Sequence, residues 1–438
     1  MKIRSFLVRT ALLSLFAFLT FSGARLAAQT QPSSASTTQV APAVPARITQ
    51  AIDDTQLVTL KGNVQPLARP EFDKGPVSDA QPMKRMMLLL QRSPEQQAAL
   101  TQLMAEQLSK ESPNFHKWLT PVQFGQQFGP ADADIQTVTD WLTRQGFSGM
   151  KVANGRTVIE FSGTVAQVRN TFHTEIHSFV VDGKTYSANV SDPQIPAALT
   201  PVVKGIVSLH NFPAKSFRKD AGIHSITRDS HGTPQFTTPT GCGPSQAQPC
   251  YFVGPADFAK IYNIPSNLDG TGVTIGIVGD SNIDPNDIIG FRTVFGLLPA
   301  TGPTIIVDGP DPGISGPQGD EGEGDLDVET AGGVAPKAMI DFVVAEGTLT
   351  ALGQDIATLR LVDDNLADVI TESFGQCELA IANSQGSLGF YTGVWEQAAA
   401  QGTSVMVSAG DDGSAACDNF NTEAVATNGL AVNGVAST

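Results

Sequence analysis

Residues 403–413 read TSVMVSAGDDG. An apolar run of strand length ends in small residues and then in two aspartates. A strand this apolar has both faces covered. Ending in a carboxylate, it carries that group to the edge where open parallel sheets keep their chemistry. Four more runs of the same kind precede it: VTIGIVG (273–279), TIIVDG (304–309), MIDFVVA (339–345) and DVITESFG (368–375). Segments of helical spacing separate them, most clearly Leu352 to Asp363 and Phe390 to Gln401. The alternation predicts an α/β domain over 251–438, a parallel sheet with helices on both faces.

Upstream the pattern changes. Arg85 to Gln91 reads as a strand, and Ser93-Pro94-Glu95-Gln96 supplies a cap, a first-turn proline and a capping-box partner for a helix to about Leu108. A second helix is predicted from Ala131 to Gln145 and a third from Thr164 to Phe172. Asn154-Gly155 and Asp182-Gly183 read as hairpin turns between strand-like runs. Residues 72–212 therefore form a smaller α+β domain. Residues 213–250 are polar and rich in turn residues, the composition of an exposed linker open to proteolytic nicking.

The first 28 residues have the pattern of a secretory signal peptide, with Lys2 and Arg4, an apolar run from Ala11 to Phe21, and small residues at Ala24, Ala27 and Ala28. The chain is accordingly expected to be secreted, outside the cell or in a periplasm, and free of any membrane once the signal is cut. Residues 29–71 are expected to be a flexible lead-in. Four cysteines suit export: Cys242 and Cys250 are close in sequence, and Cys377 and Cys417 fall in neighbouring loops, so two disulfides are expected. No Cys-x-x-Cys pair suggests a structural zinc site. A formal net charge of −16 over 438 residues argues against nucleic acid as a partner, because phosphates repel an acidic surface.

The acids concentrate in EGEGDLDVET, residues 321–330, and no histidine follows His231. On a helix starting near Glu321, Glu323 and Asp327 share one face, with Cβ atoms about 5–6 Å apart. Two carboxyls that close resist double ionisation, so the pair holds a proton above the usual acid range and titrates as a unit. Such a pair serves proton transfer in acid, where imidazole is already charged. Asp411, at the carboxyl end of its strand, is placed to donate a hydrogen bond to a developing oxyanion if kept neutral. Asp412 is expected to face solvent. The structural alternative is a solvated acidic helix start, favoured by the helix dipole. A further alternative is a calcium-binding loop, although the spacing does not fit an EF-hand.

Several stretches resemble one family. Glu323-Gly324-Asp325-Leu326-Asp327-Val328-Glu329 matches the Glu-x-x-Leu-Asp-x-Glu motif of the sedolisin family of serine-carboxyl peptidases. Ser408-Ala409-Gly410-Asp411-Asp412-Gly413 is similar to its Ser-Ser-Gly-Asp-Ser-Gly, and Tyr262-Asn263-Ile264-Pro265 resembles the start of its catalytic domain. HKWLTPVQFGQQFGP (116–130), WLTRQGF (141–147), FSGT (161–164) and IPAALTPVVKGIVSLHNF (195–212) resemble its activation propeptide. The resemblance implies a subtilisin-like parallel sheet, here incomplete, preceded by a ferredoxin-like propeptide domain. It also implies a monomeric acid endopeptidase precursor that acts on proteins or peptides and is inhibited by its own propeptide. Glu323 then takes the proton of the nucleophilic serine, Asp327 holds and tunes Glu323, and Asp411 stabilises the oxyanion.

The resemblance places the nucleophile in a Ser-Gly-Thr-Ser-x-Ser motif, with the calcium ligands further on, both beyond Thr438. No nucleophile and no metal ligand is therefore assigned in this chain, and the chain as written is expected to be inactive. Ser404, in Gly402-Thr403-Ser404, copies part of that motif but precedes Asp411 and leads into a buried strand. His231-Gly232-Thr233 mimics an ordinary subtilase segment but lies in the linker. Asp280, after the first parallel strand, stands where relatives often carry glutamate and is left outside the site. The competing functions are a propeptide-type inhibitor or chaperone formed by residues 72–212, and an inactive pseudo-peptidase.

Overall fold

The computed structural model describes residues 44–216, 218, 227–228, 234–235, 237–238, 250–251, 253–316, 319–418 and 425–438. The expected signal peptide, most of the linker with His231, and the Cys242–Cys250 pairing lie outside or rest on residues outside this set. Helices α1 (Pro94–Leu108), α2 (Pro121–Phe128), α3 (Asp132–Arg144) and α4 (Val165–Phe172) belong to the N-terminal domain. Ser93, Thr120 and Thr164 each accept a hydrogen bond from the backbone N–H of a glutamine three residues on. That glutamine's side chain returns the bond, so α1, α2 and α4 all begin with a capping box. Helix α2 is absent from the sequence expectation, although Thr120-Pro121-Val122-Gln123 carries the same start signal as α1.

Four antiparallel strands accompany these helices: β1 (Pro82–Leu90), β2 (Ser148–Val152), β3 (Val158–Thr164) and β4 (Val203–Ile206), in the order β2-β3-β1-β4. Strand β1 explains the run MMLLL. Met86, Leu88 and Leu90 enter one core with Trp141, Leu142, Val168 and Phe172 of the covering helices, while Met87 and Leu89 enter another. With a period of two, both faces of β1 are buried. A second antiparallel sheet joins Asp73–Pro76, Ile176–Val181 and Lys184–Asn189. Its hairpin turns at Asp182 and Gly183, whose φ values of 51° and 77° suit the short turn that Asp-Gly favours.

The expected lead-in of residues 29–71 needs correction over its described part. Leu57–Thr59 pairs antiparallel with Gln194–Pro196, Leu60 is buried, and Ile48 and Ile52 pack on the same core. Apolar burial of these side chains ties residues 44–71 to the α+β domain.

After α5 (Pro255–Ile261) come five strands: β5 (Thr274–Gly279), β6 (Thr304–Val307), β7 (Met339–Val344), β8 (Val369–Glu372) and β9 (Ser404–Val407). Their order is β6-β7-β5-β8-β9, and every pairing is parallel. Helices α6 (Pro285–Val294), α7 (Asp320–Val334), α8 (Gly353–Asp363), α9 (Glu378–Ala382) and α10 (Gln385–Gln401) lie between and after them. Ile277, Phe342 and Val344 pack with Ile288 of α6 and Val328 of α7. Val278, Val343 and Ile370 pack with Ile356 and Leu361 of α8 and Phe390 and Val394 of α10. Adjacent strand residues thus point to opposite covered faces, the α/β architecture expected of a subtilisin-like domain. No helix among the described residues is long and apolar enough to cross a membrane.

The two domains meet on α10. Met87, Leu89 and Val207 share one apolar cluster with Phe390, Tyr391 and Val394. Polar contacts fix the register of this surface. Asp363 accepts from the backbone N–H groups of Asn154 and Gly155, both at 2.7 Å. Arg85 bridges Glu160 at 2.9 Å and Asp308 at 3.2 Å, and Arg92 pairs with Glu396 at 2.7 Å.

Candidate active site

Two strand ends and one helix start supply the candidate groups beside β5, where strand order reverses from β6 and β7 on one side to β8 and β9 on the other. Such a switch point is where open α/β sheets bind ligands. Helix α7 supplies Glu323 and Asp327, the loop after β8 supplies Ser373, and the turn after β9 supplies Asp411. The glycines of EGEGDLDVET do not break α7. A Cβ on Gly324 would lie 2.8 Å from Ile283 Cγ2 and 2.9 Å from Phe342 Cζ, so glycine there lets the helix lie close on the sheet.

Glu323 is buried, and loss of hydration pushes its pKa up to about 8. The Asp327 and Asp411 carboxyls raise it further, while the Arg218 guanidinium and the Ser373 hydroxyl oppose the shift. Burial likewise pushes Asp327 up to about 6, against a 2.9 Å hydrogen bond donated by Ser373 Oγ to its Oδ1. Glu323 Oε2 and Asp327 Oδ2 are buried without a hydrogen-bond donor. Glu323 and Asp327 thus stand one turn apart on α7, and the exposed Asp411 of the β9 turn lies within electrostatic range of Glu323. This set does not resemble an ion cage, because Ser373 and Arg218 already face its carboxylates.

Asp412 corrects an expectation. Both of its carboxylate oxygens are buried without a hydrogen-bond partner, and burial raises its pKa, whereas Asp411 is the exposed member of the pair. Asp280 is half-buried and pushed up to about 7 by desolvation and by Asp320 and Asp355. Ser404 opens β9 at its amino end, pairing with Val369, so it lies at the end of the sheet away from Asp411.

Two contributors escaped the sequence reading. Ser373 sits in TESFG, where a small polar residue at the carboxyl end of a parallel strand was the available signal. The other is the start of the linker, expected to be exposed. Lys215 forms an antiparallel bridge with Gly375, N–H to carbonyl both ways at 2.9 Å, and Arg218 Nε lies 3.9 Å from Glu323 Oε2. Gly375 is required by crowding: a Cβ there would lie 2.0 Å from Asn433 Oδ1. The linker start therefore runs across the acid pair. Cys377 and Cys417 are bonded, as expected, and tie the loop after β8 to the segment after Asp411.

Residues 72–212 match the family described as Pro-kumamolisin, activation domain. Sedolisin of Pseudomonas sp. (strain 101) is 29% identical over 330 residues, covering 74% of this chain and 53% of the relative. Xanthomonalisin of Xanthomonas sp. (strain T-22) is 29% identical over 401 residues, covering 86% and 46%. The chain is similar to sedolisin-family peptidases over most of its length. Kumamolisin of Bacillus sp. (strain MN-32) is also similar, at 26% identity over 81% of this chain and 61% of its own length. The chain spans roughly half the length of the relatives it matches.

Because the Ser373 hydroxyl stabilises ionised Asp327, Ser373→Ala is expected to raise the Asp327 pKa above its value of about 6. Carboxyl-carbon NMR of ¹³C-labelled aspartate reads this directly. An unmoved titration would show that the hydrogen bond is not formed in solution.

Proposed function

We propose that this chain is the precursor portion of a secreted, acid-acting serine-carboxyl endopeptidase, in which Glu323 is the base, Asp327 orients and tunes it, and Asp411 faces the oxyanion. The observation that supports this reading is the pairing of Glu323 and Asp327 one turn apart on α7, both pushed up in pKa by burial, with Asp411 of the β9 turn within electrostatic reach of Glu323 and no imidazole nearby in sequence. The attacking group of this mechanism is a serine, and none within these 438 residues is assigned that role. Its hydroxyl proton passes to Glu323 as its oxygen bonds to the scissile carbonyl carbon, and Asp411 donates to the carbonyl oxygen as charge grows there. Calcium, expected of complete family members, is given no step.

The covered state is latent for a physical reason. A carboxyl with a pKa near 8 is protonated at acid pH and accepts no proton, so Glu323 is not a base while the linker start lies over it. Removing that segment takes away the Arg218 charge that opposes the shift, while the water it admits relieves the larger effect, desolvation, and so lowers the pKa. The N-terminal domain then acts as an intramolecular inhibitor whose hold depends on the α8 and α10 surface. Protein or peptide chains are the substrates in this reading.

The function is tested in a chimera in which residues 1–438 replace the matching part of xanthomonalisin, assayed on denatured protein at about pH 4, where carboxylate chemistry outlasts imidazole. Hydrolysis by the activated chimera supports the reading. A folded, activated chimera with no hydrolysis would contradict it.

The inhibitory role makes its own prediction in the 438-residue chain. Asp363→Ala leaves the N–H groups of Asn154 and Gly155 without their acceptor, at a cost of about 1–3 kcal/mol each if they remain buried. Nicking within 213–250 by an added protease is expected to speed up about 10-fold or more. An unchanged rate would mean that Asp363 does not hold the domains together.

A further inference from the structure

Helices α6 and α7 begin with carboxylates turned toward each other. Asp287 lies in the first turn of α6, and Glu321 and Asp325 stand one turn apart on α7. One carboxylate oxygen from each lies within 4.8 Å of the other two. At about 100° per residue, positions 321 and 325 face away from positions 323 and 327, so this group occupies the opposite side of α7 from the acid pair.

Acids alone at a helix start need no ligand, but two further observations point to one here. Glu321 is only 5% exposed, and its carboxylate has no hydrogen bond or ion pair among the described residues. Asp325 Oδ1 is also buried without a donor. A buried carboxylate is normally met by a cation or a donor, and the described surroundings supply neither to Glu321. Calcium–oxygen distances of about 2.3–2.6 Å allow two oxygens on one ion to be up to about 5 Å apart, which this spacing satisfies. An all-oxygen set without imidazole or thiolate does not select zinc or copper. Asp287 is exposed, leaving a path for entry and for the waters that complete the shell.

We propose that Asp287, Glu321 and Asp325 bind a calcium ion between the first turns of α6 and α7. The ligands come from two helices, so no EF-hand spacing is involved, and the ion clamps the start of the helix that carries Glu323 on its other side. The sequence alone assigns no metal ligand in this chain, and the site added here does not depend on peptidase activity.

The test uses the whole 438-residue chain, stripped with EDTA and dialysed against radioactive calcium chloride at about pH 7, since these ligands must be deprotonated to bind. One ion per chain is expected, with a rise in melting temperature of about 2–5 °C at saturating calcium. Asp287→Asn, a change at an exposed side chain, is expected to abolish both. Glu321→Gln is expected to erase the calcium response. Absence of bound calcium, or equal binding by Asp287→Asn, would overturn the proposal.

Discussion

Glu323→Gln is expected to lower kcat/KM for peptide hydrolysis by the activated xanthomonalisin chimera about 10²–10⁴-fold, the range a positioned general base contributes. The amide keeps the shape of the carboxyl but cannot take the serine's proton, so the loss falls on kcat rather than on substrate binding. Asp327→Asn should cost less, because Asp327 acts through Glu323, and it should move the acid limb of the pH profile. That shift has a definite sign. Ionised Asp327 raises the Glu323 pKa, so its replacement by a neutral amide lowers it. A Glu323→Gln chimera with near-normal kcat would remove Glu323 from the mechanism. Equal loss in Ser373→Ala would instead move attention to the hydroxyl that already touches Asp327.

The chain is also expected to be most stable in mild acid and to lose several kcal/mol of stability between about pH 4 and pH 8. Glu372 of β8 and Asp355 of α8 are fully buried against Tyr391 of α10 and are pushed up to about 8 and about 6. They are knit together by Tyr391, whose hydroxyl donates to Asp355 at 2.6 Å and lies 3.3 Å from Glu372, while Thr358 donates to Glu372 at 2.9 Å. Asp280, Glu323 and Asp327 add raised values of about 7, 8 and 6.

A carboxyl whose folded pKa exceeds its unfolded value binds more protons when folded. Its contribution is therefore complete below about pH 4 and is lost as pH rises through about 6 to 8. A tenfold tighter hold on a proton in the folded state is worth about 1.4 kcal/mol, so even one or two of these acids account for the expected loss. In the opposite sense, Asp73 and Asp79 are held low by hydrogen bonds, so their contribution is lost as pH falls below about 4. The maximum should lie between these limits, near pH 4–5. Urea titrations across pH measure it, and Glu372→Gln should flatten the alkaline side by about 1–3 kcal/mol, the cost of an unmet buried group. A stability curve flat from about pH 4 to pH 8 would show that these acids titrate alike in the folded and unfolded chain.

Much of this architecture was legible because apolar runs and capping boxes are local signals. TSVMVSAGDDG became β9 and the Asp411 turn, and Ser93-Pro94-Glu95-Gln96 became the start of α1. The grouping of Glu323 with Asp327 followed from a four-residue spacing, and Asp411 from its place at the carboxyl end of an apolar strand. What sequence did not convey was tertiary. The apolar side chains at Ile48, Ile52 and Leu60 looked like part of a lead-in until β-pairing and the core absorbed them. Arg218 looked like one basic residue of an exposed linker, and its place beside Glu323 depends on the backbone bridge from Lys215 to Gly375. Asp411 and Asp412 are adjacent, so the choice of which carboxylate points inward rests on the turn rather than on the composition of SAGDDG.

Whether Glu323 and Asp327 form one coupled, buried acid pair is read most directly by carboxyl-carbon NMR of ¹³Cδ-glutamate in the intact chain, with Glu323→Gln to assign the signal. A Glu323 titration near pH 8 that moves to lower pH in Asp327→Asn is expected. A titration at the ordinary glutamate value, unmoved by that substitution, would leave Glu323 an isolated acid and remove the pair from the mechanism.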